Sequence, residues 1–213
     1  MYETEEQQLE ALKKWWQANG TSSIVGLIVG IAVILGFNYW QEYKKTQAEQ
    51  ASALYAQLIK TAQTDKKDEA VKLAARIDSQ YPKSDYALYS NLLVAKLNVD
   101  KGDNAGAKTV LEKVAASANK ELSNIAKIRL VRLMLANKEY EQGLQLINTV
   151  DPSSNGKFEG NYDELVGDLY VALGRFDQAR TAYKKALDEG YRSPLLQLKL
   201  DDVTAPDKLT SPK

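Results

Sequence analysis

The amino-acid sequence predicts an all-α protein, in which a single N-terminal transmembrane helix is followed by an α-solenoid of about four helix pairs. Three observations predict this architecture. One apolar segment near the N-terminus carries no charged residue, and after it a pattern of small and apolar residues recurs roughly every 36 residues. Only 12 glycines and 5 prolines interrupt the 213 residues, which are otherwise rich in residues that favour helices.

The composition excludes several classes of function. The chain has no cysteine and no histidine, so it has no Ser-His-Asp triad, thiol nucleophile, disulfide framework or imidazole metal ligand. Lys plus Arg and Asp plus Glu both number 28, so there is no overall attraction to nucleic acid. We therefore expect no enzyme, no cofactor, no metal site and no nucleic-acid partner.

Residues 21–40 form the predicted transmembrane anchor. No charged side chain lies between Lys14 and Glu42, and a helix of this length spans about 30 Å, the thickness of the hydrocarbon core. Aromatic residues, including Trp16 and Trp40, flank the segment as interfacial residues do. A buried core helix or a cleaved signal peptide is the alternative. No small-x-small cleavage site follows the apolar run, which favours an uncleaved anchor.

The anchor divides the chain into a short tail, residues 1–20, and a large domain. Two lysines flank each end of the anchor, so the positive-inside rule does not decide the orientation. A short tail inside and a translocated domain is the simpler topology. Within the anchor, Ser22, Gly26 and Gly30 share one helix face, where small side chains allow another transmembrane helix to approach closely. The alternative is that glycine is simply common in membrane helices.

Residues 41–203 form the predicted repeat domain. Gly167 and Ala179 stand where two antiparallel helices would cross, and the spacing of small and aromatic residues around them resembles the tetratricopeptide signature. Positions equivalent to Ala179 are Gly143, Ala107 and Ala70. The segment LLQLKLDDV, at residues 195–203, is expected to form a helix that caps the last repeat through Leu195, Leu196 and Leu198. Residues 204–213 are expected to form a frayed tail.

Stacked helix pairs curve, and their first helices line a concave groove. The alternative is a groove that is shallow or filled by the C-terminal helix of the chain itself. The repeat register predicts the following partner-binding groove positions: Tyr55, Ile59, Tyr89, Leu92, Lys96, Ile128, Arg132, Leu135, Glu164 and Asp168.

Three sequence features together resemble one family. They are ALKKWWQANG before the anchor, NYWQEYKK at its end, and degenerate repeats that finish in LLQLKLDDV. The chain resembles the YfgM family of ancillary SecYEG translocon subunits. The resemblance implies a single-pass bacterial inner-membrane protein with a cytoplasmic N-terminus and a periplasmic repeat domain. It also implies no catalytic residues, association with the SecYEG translocon and a PpiD-type periplasmic chaperone, and transfer of newly secreted polypeptides to chaperones.

Two other functions fit the same architecture. The short tail could make the protein a membrane tether, or a regulator that sequesters a stress-response signalling factor. Alternatively, the repeat domain could be a scaffold for envelope assembly enzymes.

Overall fold

A computed structural model describes residues 5–64, 66–151 and 156–204 of the chain. Within these ranges there are nine α-helices, one short 3₁₀ turn at Gly156–Phe158 and no strand. Residues 1–4 of the predicted tail and residues 205–213 of the predicted C-terminal tail lie outside the described ranges. The helices are α1 (Glu5–Ala62), α2 (Lys67–Gln80), α3 (Asp85–Asp100), α4 (Asn104–Ala115), α5 (Lys120–Ala136), α6 (Tyr140–Asn148), α7 (Glu159–Ala172), α8 (Phe176–Asp188) and α9 (Leu196–Asp202).

The chain divides into two units, Met1–Gln50 and Ala51–Lys213, and α1 contributes residues to both. Among the described residues, α1 is the helix whose length and apolar composition suffice to cross a membrane. Its apolar window is almost wholly exposed; Leu27 and Leu35, for example, are 65% and 63% exposed. The window is therefore not the buried core helix of a folded domain, which was one alternative from the sequence.

The second unit contains the predicted four helix pairs. The last part of α1 packs with α2, α3 with α4, α5 with α6, and α7 with α8, and α9 follows as a cap. The helices begin at polar caps where the sequence provides them. The side chains of Ser84, Asp103 and Asn119 accept hydrogen bonds from backbone N–H groups in the first turns of α3, α4 and α5.

The first helices of the last three pairs, α3, α5 and α7, each end in the same left-handed turn. Gly102, Lys138 and Gly174 occupy equivalent repeat positions and have φ values of 80°, 63° and 72°. In each turn the next backbone N–H donates to a carbonyl five residues earlier, as Arg175 does to Tyr170 at 2.8 Å. This is the Schellman arrangement, which satisfies carbonyl groups at a helix end. Glycine adopts the conformation freely, whereas Lys138 adopts it at an energetic cost.

Small side chains at the helix crossings form the core of each pair. Ala70, Ala107 and Ala179 are fully buried, and Gly143 is buried at the equivalent position. A methyl group at Gly167 would overlap the ring of the buried Tyr183, so only glycine fits there without rearrangement. These placements confirm the repeat pattern predicted from the sequence.

Ion pairs join each repeat to the next. Their partners lie between 31 and 36 residues apart in the chain. Most of these side chains are exposed, so each pair contributes little to stability, about 0–1 kcal/mol. The pairs are Lys101–Asp68, Lys113–Asp78, Lys108–Glu139, Lys157–Glu121 and Arg175–Glu141.

The capping helix α9 covers the last repeat with a different face from the one expected. Leu196 is fully buried against Tyr183, whereas Leu195 and Leu198 are 56% and 65% exposed. The inward face follows the helical spacing i, i+3, i+4 and i+7, and it therefore comprises Leu196, Lys199, Leu200 and Val203. The expectation that all three leucines would cover the repeat was wrong for Leu195, which precedes α9 and is exposed, and for Leu198, which lies about 200° around the helix from Leu196.

Candidate binding groove

Three tyrosines form a cluster where α1 meets α3. Tyr55 lies on α1, and Tyr86 and Tyr89 lie on α3. The ring centroid of Tyr55 lies 5.6 Å from that of Tyr86 and 6.0 Å from that of Tyr89. The rings of Tyr86 and Tyr89 meet edge to face, with their centroids 6.0 Å apart. Burial, and then the neighbouring Tyr89, raises the pKa of the Tyr55 hydroxyl. Of the three, Tyr89 is the most open to solvent, with 39% of its surface exposed.

Two depressions run from this tyrosine cluster along α3 and α5. One of about 200 Å³ is lined by Tyr55, Tyr89, Leu92, Leu93, Lys96 and Arg129. The other, of about 400 Å³, is lined by Ala95, Lys96, Val99, Leu111, Arg129, Arg132, Leu133 and Ala136. Because Lys96 and Arg129 line both, the depressions form one continuous feature, which we call the α3–α5 groove.

The α3–α5 groove combines an apolar floor with a basic rim. Leu92 and Leu133 are buried in its floor, whereas Lys96, Arg129 and Arg132 are exposed. The Arg129 guanidinium donates a hydrogen bond to the backbone oxygen of Leu92 at 3.3 Å. Among the described residues, none of these three cations forms an ion pair with a carboxylate. The groove therefore presents positive charge that forms no ion pair with the carboxylates of the described ranges.

Three predicted groove positions lie elsewhere. Ile128 is buried in the core beneath α5 and α7, Leu135 packs at the edge of that core, and Ile59 is half-buried outside both depressions. The groove face of α5 follows Arg129, Arg132, Leu133 and Ala136, with helical spacing i, i+3, i+4 and i+7. Ile128 lies about 100° around α5 from Arg129, at the edge of that face, and its side chain packs in the core with Val131 and Leu165.

The last two predicted positions, Glu164 and Asp168, lie on α7 and are occupied by the C-terminal part of the chain. Lys199 Nζ on α9 lies 2.9 Å from Glu164 Oε1 and 2.8 Å from Asp168 Oδ1. The hydroxyls of Ser193 and Tyr191 also donate to Glu164, at 3.0 and 3.1 Å. These carboxylates therefore have intramolecular partners, and α9 lies over this end of the predicted row.

The titration of this cluster follows from its geometry. Burial alone raises the pKa of Glu164, but the hydrogen bond and charge of Lys199 outweigh it, and the net pKa is lowered. For Lys199 the effects have the opposite sign. Burial lowers its pKa, but the hydrogen bonds and charges of Asp168 and Glu164 raise it by more, so the net pKa of Lys199 is raised. Burial, followed by a hydrogen bond to Asp168, raises the pKa of Tyr183. Both Glu164 and Lys199 are thus held in their charged forms.

The predicted packing face of the anchor is open in the structure. Ser22, Gly26 and Gly30 are exposed, and a methyl group at Gly26 or Gly30 would meet no atom within 4 Å. By contrast, Gly20 lies against the ring of Trp16, where an added methyl would come within 3.2 Å. Helix packing at Ser22, Gly26 and Gly30 stays a prediction.

The groove positions predicted from the sequence did not include Arg129, which lines both depressions. The signal for Arg129 was a second cation one helical turn before Arg132, on a face that otherwise continues as Leu133 and Ala136. The described residues contain no group of acidic side chains arranged to hold a metal ion.

Comparison with known proteins gives consistent matches along the chain. Residues 13–205 match the family model described as a tetratricopeptide repeat-like domain. A Haemophilus influenzae protein named ancillary SecYEG translocon subunit is 29% identical over 202 residues, which cover 93% of this chain and 97% of that protein. An Escherichia coli protein of the same name is 24% identical over 208 residues, covering 96% of this chain and 98% of that protein.

A third relative with this name, from Aggregatibacter actinomycetemcomitans, is 27% identical over 202 residues, covering 93% of this chain and 97% of that protein. No solved structure matches the chain. These matches confirm the resemblance to the ancillary SecYEG translocon subunits that the sequence predicted. Because the family model covers most of its length, the chain belongs to the tetratricopeptide repeat-like domain family.

Proposed function

We propose that this protein is a non-catalytic ancillary subunit of the SecYEG translocon that links translocated polypeptides to a membrane-anchored periplasmic chaperone of the PpiD type. The observation that carries the proposal is the similarity over nearly the whole chain to relatives named ancillary SecYEG translocon subunit. Those names support a translocon-associated role. The spanning helix and the repeat family support membrane attachment and protein–protein interaction as its basis.

In this proposal the two units have different roles. The anchor contacts translocon helices through Ser22, Gly26 and Gly30, because lipid offers no hydrophobic drive and close packing needs small side chains. The repeat unit lies in the periplasm and contacts the chaperone or the emerging polypeptide through the α3–α5 groove. The α3–α5 groove supports this role because it is open and apolar and has no intramolecular occupant among the described residues.

The anchor contact is tested by co-purification with SecY from mild detergent. We expect the double variant Gly26→Leu, Gly30→Leu to lose SecY, because two large side chains would hold the partner helix away. The matched control is Ile24→Leu, Ile28→Leu, which keeps the spacing of four residues on the other side of the same helix. If the glycine variant retains SecY as the control does, the anchor face is not the contact.

The topology is tested by cysteine labelling, since the natural chain has no cysteine. A single cysteine at the exposed Lys184 should react with a membrane-impermeant maleimide in intact spheroplasts. A cysteine at Gln8 should react only after the membrane is permeabilised. The opposite pattern would place the repeat unit in the cytoplasm and would contradict the proposal.

The groove contact is tested by photo-crosslinking in intact cells. The probe belongs at Lys96, which is exposed on the rim, rather than at the buried Leu92. Adducts with a periplasmic chaperone or with secreted polypeptides are expected.

Deleting residues 2–12 separates the translocon function from that of a cytoplasmic tether. Translocon association should survive the deletion, whereas a regulatory function of the tail should be lost.

A further inference from the structure

We infer that the α3–α5 groove binds an extended, acidic polypeptide segment and seats one of its aromatic or large aliphatic side chains beside the tyrosine cluster. The inference rests on the proposed function, since it gives the chemistry of the partner for the groove proposed there. It depends on the shape, the charge and the aromatic lining of the groove.

The shape indicates an extended segment. The two depressions adjoin along α3 and α5, and their shared residues are Lys96 and Arg129. Side chains of an extended chain alternate in direction, so every second residue could enter the apolar floor while its neighbours point toward the rim. The floor between them, at Leu92 and Leu133, is buried and aliphatic.

The charge indicates an acidic segment. Lys96, Arg129 and Arg132 are exposed, and no acidic residue lines either depression. Further along the row, Lys199 pairs with both Glu164 and Asp168, so these carboxylates are turned toward α9 and not toward the two depressions. Every charged residue that lines the two depressions is therefore basic, although the whole chain has a formal net charge of zero. Complementary charge would select an acidic partner and speed its association.

The tyrosine cluster favours a polypeptide over a nucleic acid. Tyr55, Tyr86 and Tyr89 pack against one another at tilted or edge-to-face angles, and of the three only Tyr89 is classed as exposed, at 39%. Single-stranded nucleic acid is bound by aromatic faces on which successive bases stack. One partly open ring beside an aliphatic floor instead matches a single apolar side chain, which can pack against the edge of the cluster.

Fluorescence anisotropy tests the inference on the full chain in nanodiscs of neutral phosphatidylcholine. The probe is a short fluorescein-labelled peptide in which glutamate and phenylalanine alternate. Matched peptides replace glutamate by lysine or phenylalanine by serine. The variants are Lys96→Glu, Arg132→Glu for charge and Tyr89→Ala for the aromatic contact. Their controls are Lys184→Glu and Phe176→Ala, which alter exposed residues of α8 outside the groove.

We expect the glutamate–phenylalanine peptide to bind and both matched peptides to bind weakly. The double charge reversal should weaken binding by at least about tenfold, and added salt should weaken it too, because exposed charges are screened within about 8–10 Å. Tyr89→Ala should weaken it to a smaller extent, and the two α8 controls should leave it unchanged. Circular dichroism of each variant confirms that its helices are intact.

Several results would overturn the inference. Equal binding of the lysine peptide, or no effect of the charge reversal, would exclude acidic selectivity. Displacement of the peptide by oligo-dT would indicate that the groove binds nucleic acid. A dimer that is seen by light scattering and dissociates when the peptide is added would indicate that a second copy of the chain occupies the groove. Co-purification of SecY with the charge-reversed variant distinguishes this failure from failure of the proposed function, since the anchor is unaltered.

Discussion

Lys199 provides the sharpest test of how α9 is held. Its ammonium lies within 3 Å of two carboxylates, and the side chains of Glu164 and Asp168 are only 9% and 19% exposed. The variant Lys199→Met keeps most of the aliphatic stem and removes the charge. It leaves the carboxylate of Glu164 buried, with the hydroxyls of Tyr191 and Ser193 as its remaining donors.

The expected cost follows from the burial of the pair. Removing one partner of a fully buried ion pair costs about 3–5 kcal/mol, because the other charge is left uncompensated. Lys199 is itself 28% exposed, and two donors to Glu164 are retained, so the cost should extend somewhat below that range. We expect α9 docking to weaken by about 2–4 kcal/mol, which corresponds to roughly 30- to 1,000-fold more frequent detachment.

Hydrogen exchange with mass spectrometry measures this effect on the full chain in detergent. Peptides covering α9 should exchange faster in Lys199→Met at neutral pH, and peptides covering α2 should not change. The control is Lys184→Met, which removes an exposed lysine on α8. Unchanged exchange in α9 would refute the reasoning, since it would show that Leu196 and its apolar neighbours hold the helix without the ion pair.

Three further predictions concern pH and backbone fit. Docking of α9 should weaken on acidification, as the pH falls through the lowered pKa of Glu164. It should also weaken at strongly alkaline pH, as the pH rises through the raised pKa of Lys199. Hydrogen exchange of α9 across a pH series measures both limits. Gly167→Ala should lower the free energy of unfolding in urea by about 1–3 kcal/mol, because the buried ring of Tyr183 must move. Lys138→Gly should raise it by about 0.5–1 kcal/mol, because φ at this position is 63°.

Matched variants control the two backbone predictions. A methyl group at Gly143 would lie 3.0 Å from the end of the Leu169 side chain, which can shift, so Gly143→Ala should cost less than Gly167→Ala. Ala116→Gly places glycine at an exposed helix end where φ is −82°, so it should destabilise the protein. An equal cost for both glycine variants, or a loss of stability in Lys138→Gly, would contradict these assignments.

The sequence predicted the helix pairs because their signals are local and periodic. Ala70, Ala107, Gly143 and Ala179 recur at nearly constant spacing, and each lies at a buried helix crossing in the structure. The anchor could also be predicted from the sequence, since an uncharged apolar segment of bilayer length is recognised without knowing any tertiary contact. Both features depend on the order of residue types along the chain.

The candidate site depended much more on tertiary structure. The repeat register placed Ile128 and Arg132 in the same groove, but in the structure Ile128 packs in the core, whereas Arg132 stays at the rim and Arg129 lies beside it. A periodic pattern locates a helix face only to within a neighbouring residue, and the packing of adjacent helices selects between them.

The partners of charged residues were decided by tertiary structure for the same reason. Glu164 and Lys199 are 35 residues apart in the chain, and no local pattern links them. The sequence by itself determined a membrane-spanning helix, the number of helix pairs and their turns, because each follows from short-range periodicity and backbone preference. Only the tertiary structure decided that Lys199 on α9 pairs with the acidic end of the row and that the groove between α3 and α5 is lined by basic residues, because both depend on which side chains meet across separate repeats.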